Sequence, residues 1–260
     1  MKFINTRPTD RAQVLNDELA LAGFDVIELP VLALEPIAFS EHLQQQFQQL
    51  SHAQIIVVVS PKAVEVGMRY LKQANVLLSE LEHVQWLAVG KKTALALAEY
   101  GIKSLVPEVE TSEGMLSLPI FESTTHLKTI AFWRGEGGRQ FMMQQCLAQN
   151  IEVMNFVLYQ RYFPIETTQK FEKMMGVYSA HPEAYVSLVS SEASWKNWLD
   201  LCQNYPKFLE NGHYFVLGDR LYQILNVFQK QTGLRFKISQ IPDLKSDTIL
   251  LQLKIESRRS

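Results

Sequence analysis

Hydrophobic residues along this chain follow two alternating patterns: short continuous apolar runs, and longer stretches with one apolar position every three or four residues. The continuous runs predict strands at residues 2–5, Val26–Leu29, Gln54–Val59, Trp86–Val89, Lys103–Val106, Thr129–Trp133, Val153–Leu158, Tyr185–Val189, Tyr214–Leu217 and Phe236–Ile238. The periodic stretches predict helices. Leu15, Leu19 and Ala22 share a face that stops at Gly23, a C-terminal cap. Trp195, Trp198, Leu199 and Cys202 fall at i, i+3, i+4 and i+7, as do Leu221, Ile224, Leu225 and Phe228. Strands separated by helices of this length predict βαβ units and parallel sheets. The aromatic stripes are read as core packing.

The pattern also repeats. Segment 2–30 (strand, Arg7, helix, strand) resembles segment 129–158 (strand, Arg134, helix, strand). Segment 54–118 resembles 185–253: each has a strand ending in serine (Ser60; Ser190), a helix, and a second strand ending in glycine (Gly90; Gly218). One pair of segments is nested inside the other. The expected fold is α/β: two similar parallel-sheet domains joined by a two-stranded β linker, the first domain discontinuous. The expected boundaries are 1–35 with 166–260 for the first domain and 40–156 for the second. The crossings at 31–40 and 157–168 are β-prone and interrupted by proline.

Composition narrows the function. At 260 residues and 47% hydrophobic, the chain has ample apolar residues for two cores, which excludes a disordered protein. A net charge of −2 and a pI near 6.3 argue against nucleic acid or a membrane surface as partner. An anionic ligand must therefore be met by local basic groups and backbone dipoles. The N-terminus lacks a signal-peptide core, and no apolar run approaches the ~18 residues of a membrane span. A soluble, cytoplasmic monomer is expected. Cys146 and Cys202 are too few for a disulfide framework or a thiolate zinc site and are read as buried hydrophobes.

In open parallel sheets, ligands sit at the carboxyl ends of strands beside helix N-termini, where free N–H groups favour anions. Suggestive residues cluster at those ends: Thr6-Arg7-Pro8, Ser60-Pro61-Lys62, Gly90-Lys91-Lys92-Thr93, Arg134-Gly135-Glu136-Gly137-Gly138-Arg139, Ser190-Ser191 and Gly218-Asp219-Arg220. A serine at a helix start can be a plain cap. Six such ends paired by a repeat predict a ligand cleft between the domains. Cofactor signatures fail. Gly90-to-Thr93 lacks the P-loop register, the glycine run at 135–138 lacks that of a dinucleotide fingerprint, the histidines are scattered, and no nucleophile elbow is present. The expectation is no cofactor and no metal.

Several of these segments together resemble the uroporphyrinogen-III synthase family. They are Thr6-Arg7-Pro8, Leu29-Pro30, Val58-Val59-Ser60, Val89 to Ala94, Thr111-Ser112-Glu113-Gly114-Met115-Leu116, Arg134 to Arg139, and Tyr159-Gln160-Arg161. The resemblance runs through nearly the whole chain in order. It implies two α/β domains on a two-stranded linker and a cofactor-free cyclisation of hydroxymethylbilane, a linear tetrapyrrole bearing eight carboxylates, in haem biosynthesis. Water is lost from one end, ring D attacks through its substituted carbon, and a spiro intermediate closes to the inverted type III product.

By the same resemblance Tyr159 is the hydrogen-bond donor to the leaving hydroxyl, or else it packs in the hinge. Arg7, Arg134 and Arg161 are candidates for substrate carboxylates or for interdomain salt bridges, since a guanidinium matches a carboxylate fork. Ser60, Ser190, Ser191, Thr93 and the backbone at Gly90, Lys91, Gly135 and Gly218 complete the expected substrate-binding set. Lys62 and Lys91 could equally be solvated charges. The family often has threonine three residues after the glycine in the repeat; here Leu221 stands there, on an apolar helix face. The expected partners are the bilane and, transiently, the enzyme that supplies it. The rival reading is a hinge-closing two-domain binding protein for an anionic small molecule.

Overall fold

A computed structural model of the chain describes residues 2–122, 127–138 and 140–257. Arg139 and His126, both covered by the sequence reading, lie outside the described residues. The chain divides into two compact units, Met1–Leu34 with Tyr162–Ser260, and Glu35–Arg161. In chain order the elements begin with β1 (Lys2–Asn5), α1 (Thr9–Leu21), β2 (Asp25–Glu28) and β3 (Ala33–Pro36). The second unit continues with α2 (Glu41–Gln48), β4 (Ile55–Val58), α3 (Pro61–Gln73), β5 (Gln85–Ala88), α4 (Lys91–Ala98), β6 (Ser104–Leu105), α5 (Ser112–Leu116), α6 (Pro119–Glu122), β7 (Thr129–Gly135), α7 (Phe141–Ala148) and β8 (Glu152–Tyr162). The rest is α8 (Ile165–Ala180), β9 (Tyr185–Val189), α9 (Glu192–Cys202), α10 (Pro206–Glu210), β10 (Gly212–Leu217), α11 (Gly218–Thr232), β11 (Lys237–Ile241) and α12 (Ser246–Ser257).

The first unit holds a five-stranded sheet in the order β11-β10-β9-β1-β2, every neighbouring pair parallel. The second holds a six-stranded sheet, β3-β8-β7-β4-β5-β6, in which β8 through β6 pair in parallel. Apart from the edge strand β3, the two orders are the same once β1-β2 is matched to β7-β8 and β9-β10-β11 to β4-β5-β6. The repeat in the sequence is therefore a repeat in the sheet, with its two-strand part placed first in one unit and last in the other.

Each sheet is doubly wound because its strands are apolar on both faces. In the first unit Phe3, Val186, Leu188 and Phe215 pack against α1 and α12 through Leu15, Leu19, Ile249 and Leu253. On the other face Ile4, Val189, Tyr214 and Val216 meet α8, α9 and α11, where Leu221 is a core residue. In the second unit Ile55, Val57, Ile130 and Phe132 pack on Met115 of α5 and on Met142, Met143 and Cys146 of α7. The opposite face centres on Trp133, whose ring meets Phe47 and Trp86. Gly67 of α3 is required there: a Cβ would stand 2.8 Å from Cδ2 of the indole. Both cysteines are buried, and burial pushes the Cys146 thiol up to about 11. No described helix is long and apolar enough to cross a membrane.

The end of the expected second crossing is helical. Pro164 has no N–H to continue β8, and α8 starts at Ile165. Thr167 in its first turn donates its hydroxyl to the Pro30 carbonyl at 2.7 Å.

Candidate functional site

In the second unit, α7 follows β7 onto one face of the sheet and α3 follows β4 onto the other. The carboxyl ends of β7 and β4 therefore flank a topological switch point, where such sheets open a crevice. Ser60, Arg134, Gly135 and Tyr159 all gather there. Ser60 caps α3 by accepting the Ala63 N–H at 3.1 Å. Its Oγ lies 2.9 Å from the Tyr159 hydroxyl, with either oxygen able to donate.

Tyr159 comes from β8, two strands away from β4, and its ring passes over Gly135 of the intervening strand. A Cβ on Gly135 would lie 2.5 Å from Cζ and 2.9 Å from the hydroxyl. A bulge aims the tyrosine. Arg134 pairs with Val157, but Gly135 pairs with Tyr159, so Leu158 is an extra residue in β8. Leu158 and Tyr159 are both buried, and the extra residue changes which of them stands beside Gly135.

The glycine-rich turn after β7 is tied to the same place by three bonds. The Glu136 N–H donates to the Tyr159 carbonyl at 2.8 Å, Arg161 Nη1 donates to the Glu136 carbonyl at 3.4 Å, and Arg134 Nη2 donates to the Gly138 carbonyl at 2.5 Å. Arg134 is only 4% exposed, and its Nη1 faces the Met143 sulfur at 3.9 Å. Burial lowers its pKa from the ordinary guanidinium value, and the neighbouring Tyr159 acts in the opposite direction.

Gly90, Lys91 and Thr93 stand apart at the start of α4. The Lys91 N–H donates to Glu110 Oε1 at 2.9 Å, and a Cβ on Gly90 would approach the Glu110 carboxyl carbon to 2.6 Å. This helix start, expected to face a substrate carboxylate, holds one of the protein's own. Glu110 is carried there by Gly114, where a Cβ would crowd the Val109 backbone. Thr93 is buried, its N–H bonded to the Gly90 carbonyl. Lys62 pairs with Glu65 at 2.8 Å on the solvent side of α3.

In the first unit the equivalent switch point lies between β1 and β9, and the Thr6 hydroxyl bridges it by donating to the Leu188 carbonyl. Asn5, fully buried, accepts the Arg7 N–H at 3.2 Å and donates to Asn16, which in turn donates to Glu28. The Arg7 guanidinium is half-buried; desolvation and Arg11 lower its pKa, while Asp10 opposes them. Ser190 follows β9, and Ser191 caps α9 through Ser194. Gly218 opens α11 with a φ of 73°, which lets β10 turn straight into the helix. Gly90 is extended at φ −162°, so the two glycines paired by the repeat are glycine for different reasons. Among the described residues, no three His, Cys, Asp or Glu side chains form a group able to hold a metal.

Sequence reasoning named Ser60, Arg134, Arg161 and Tyr159, which the fold brings to one strand end. It missed the bulge at Leu158 and the carboxylate of Glu110. Neither has a local sequence signal, since each depends on register between distant segments.

Comparisons with known proteins follow the same lines. The family described as "Uroporphyrinogen-III synthase HemD" matches residues 13–231. A porphyrin biosynthesis protein HemD from Ruminiclostridium josui is 27% identical over 109 residues, 42% of this chain and 22% of that longer protein. A mutant uroporphyrinogen III synthase from Thermus thermophilus superposes over 100% of both chains with a TM-score of 0.64 at 14% identity. The uroporphyrinogen-III synthetase of Helicobacter pylori 26695 gives 0.61 over 98% of this chain and 99% of its own, at 15% identity. The two solved structures share the fold, and the match across residues 13–231 makes this chain a member of the uroporphyrinogen-III synthase family.

Proposed function

We propose that this protein is a cyclising hydro-lyase that converts hydroxymethylbilane to uroporphyrinogen III. The observation that carries this reading is the Tyr159 hydroxyl, seated on Gly135 and 2.9 Å from Ser60 at the switch point of the second sheet. A serine oxygen has two lone pairs and one hydrogen. Ser60 already accepts the Ala63 N–H. If its hydrogen goes to the phenol oxygen, the phenol O–H is free to donate outward.

On this reading that proton goes to the terminal hydroxyl of the bilane, which leaves as water with the electrons of its C–O bond. The resulting azafulvene accepts the substituted carbon of ring D, the spiro intermediate opens, and ring D closes in the inverted sense. The proton released on closure restores the phenol, so the net change is loss of one water. The protein supplies orientation, which is worth several kcal/mol when reacting atoms are held in place. Arg7 and Arg161 are the guanidiniums we assign to substrate carboxylates, with Ser190 as a neutral donor.

The test is to supply freshly generated hydroxymethylbilane, oxidise the products and separate the isomers. Type III product well above the spontaneous background supports the reading. Only the uninverted isomer, at the uncatalysed rate, refutes it.

A further inference from the structure

The buried guanidinium of Arg134 has no carboxylate partner among the described residues. A buried charge ordinarily needs an opposite charge or a set of strong acceptors. Its one short bond goes to the Gly138 carbonyl, at 2.5 Å. Gly138 is shaped to receive it, since a Cβ there would stand 3.2 Å from Nη2. The turn that this bond closes, residues 135–138, contains Gly135, over which the Tyr159 ring lies, and Glu136, whose N–H donates to the Tyr159 carbonyl at 2.8 Å. Arg134 thus fastens the far end of a short turn whose near end holds Tyr159 from two sides.

We infer that Arg134 is a positioning residue that clamps the 135–138 turn and so holds Tyr159 in its donating geometry, rather than a ligand for a substrate carboxylate. Two features of its setting support this. Arg134 as a residue is 4% exposed, and its Nη1 faces the Met143 sulfur. Arg161, in contrast, is exposed and reaches the same turn only at 3.4 Å, which leaves it available to a ligand. Lysine at position 134 would keep the charge and lose the planar fork that meets a carbonyl from a fixed direction.

The inference rests on Tyr159 acting in the proposed reaction, so its test combines a catalytic and a non-catalytic readout. In the full chain, Arg134→Lys, Gly138→Ala, Tyr159→Phe and the Arg134→Lys/Tyr159→Phe double variant are compared by kcat, KM for hydroxymethylbilane and amide hydrogen exchange. Arg134→Lys is expected to lower kcat about tenfold or more with KM changed less than about threefold, and the double variant to be within about twofold of Tyr159→Phe alone, because a clamp has nothing left to position. The Glu136 amide is expected to exchange about tenfold faster in Arg134→Lys. The gentler Gly138→Ala variant should move both readouts the same way by less, which keeps the test valid if Arg134→Lys fails to fold. A KM raised tenfold at constant kcat would make Arg134 a carboxylate ligand, and multiplicative losses in the double variant would separate it from Tyr159. Unchanged Glu136 exchange in folded variants overturns the clamp whether or not the wild-type chain makes the type III isomer.

Discussion

The ring of Tyr159 lies where the side chain of Gly135 would be. β8 and β4 are separated by β7, and a phenol on β8 reaches the serine after β4 only because β7 presents no Cβ at that point. Gly135→Ala is therefore expected to displace the ring. Turnover should fall by about tenfold or more, since small misplacements of a reacting group are expensive. The melting temperature should fall by only a few degrees, because the glycine is at a strand end. Steady-state kinetics and thermal melting on the same preparation check this, and an alanine variant with full turnover would mean the ring position is unimportant.

Gly67 is a glycine of a different kind, buried against the Trp133 indole in the middle of the second unit. Gly67→Ala forces the ring or α3 to move, at about 1–3 kcal/mol by analogy with other overpacked cores. Chemical denaturation should show that loss, with kcat per folded molecule retained. The pair of glycines thus separates function from stability: one variant lowers rate more than stability, the other stability more than rate.

Glu110 caps α4 from outside the helix. Its carboxylate meets the Lys91 N–H and the positive end of the helix dipole, a combination worth about 1 kcal/mol. Glu110→Ala is expected to lower stability by about that amount, and Glu110→Gln by less. Amide exchange at Lys91 reports it directly: protection should drop in the alanine variant, and unchanged protection would show that the contact does not persist in solution.

His213 gives the first unit a pH dependence. Burial lowers its pKa from 6.5, Lys237 acts in the same direction, and Glu256, 3.8 Å away, opposes them. The fold therefore favours the neutral ring. Below about 6.5 the unfolded chain binds the proton first, so stability present at neutral pH is lost as pH falls through the folded value. The wild-type chain should melt at a lower temperature at pH 5.5 than at pH 7.5. His213→Gln, which keeps a partner for Ser239, should narrow that gap. An equal gap in both proteins would assign the effect to other groups.

Much of this fold was readable from apolar periodicity because parallel strands buried on both faces have to be continuously apolar, as Ile55–Val58 and Ile130–Trp133 are. The segment 157–168 was harder to read. Its β-branched and aromatic residues suit a strand throughout, yet Pro164 ends β8 and starts a helix. Within the site, Ser60 and Tyr159 were recognisable as residue types, but their meeting depends on a one-residue bulge that shifts the register of β8 on β7. The α4 N-terminus looked open for an anion because nothing near Gly90 in sequence marks Glu110 as its occupant.

The central claim is that the Tyr159 phenol, held by Gly135 and Ser60, delivers the proton that starts cyclisation. The most direct measurement is single-turnover conversion of hydroxymethylbilane by the wild-type chain and by Tyr159→Phe, with isomer separation and melting temperatures taken in parallel. The account predicts that phenylalanine slows formation of the type III isomer at least about tenfold with the melting temperature nearly unchanged. An equally stable phenylalanine variant that forms type III at the wild-type rate would contradict it.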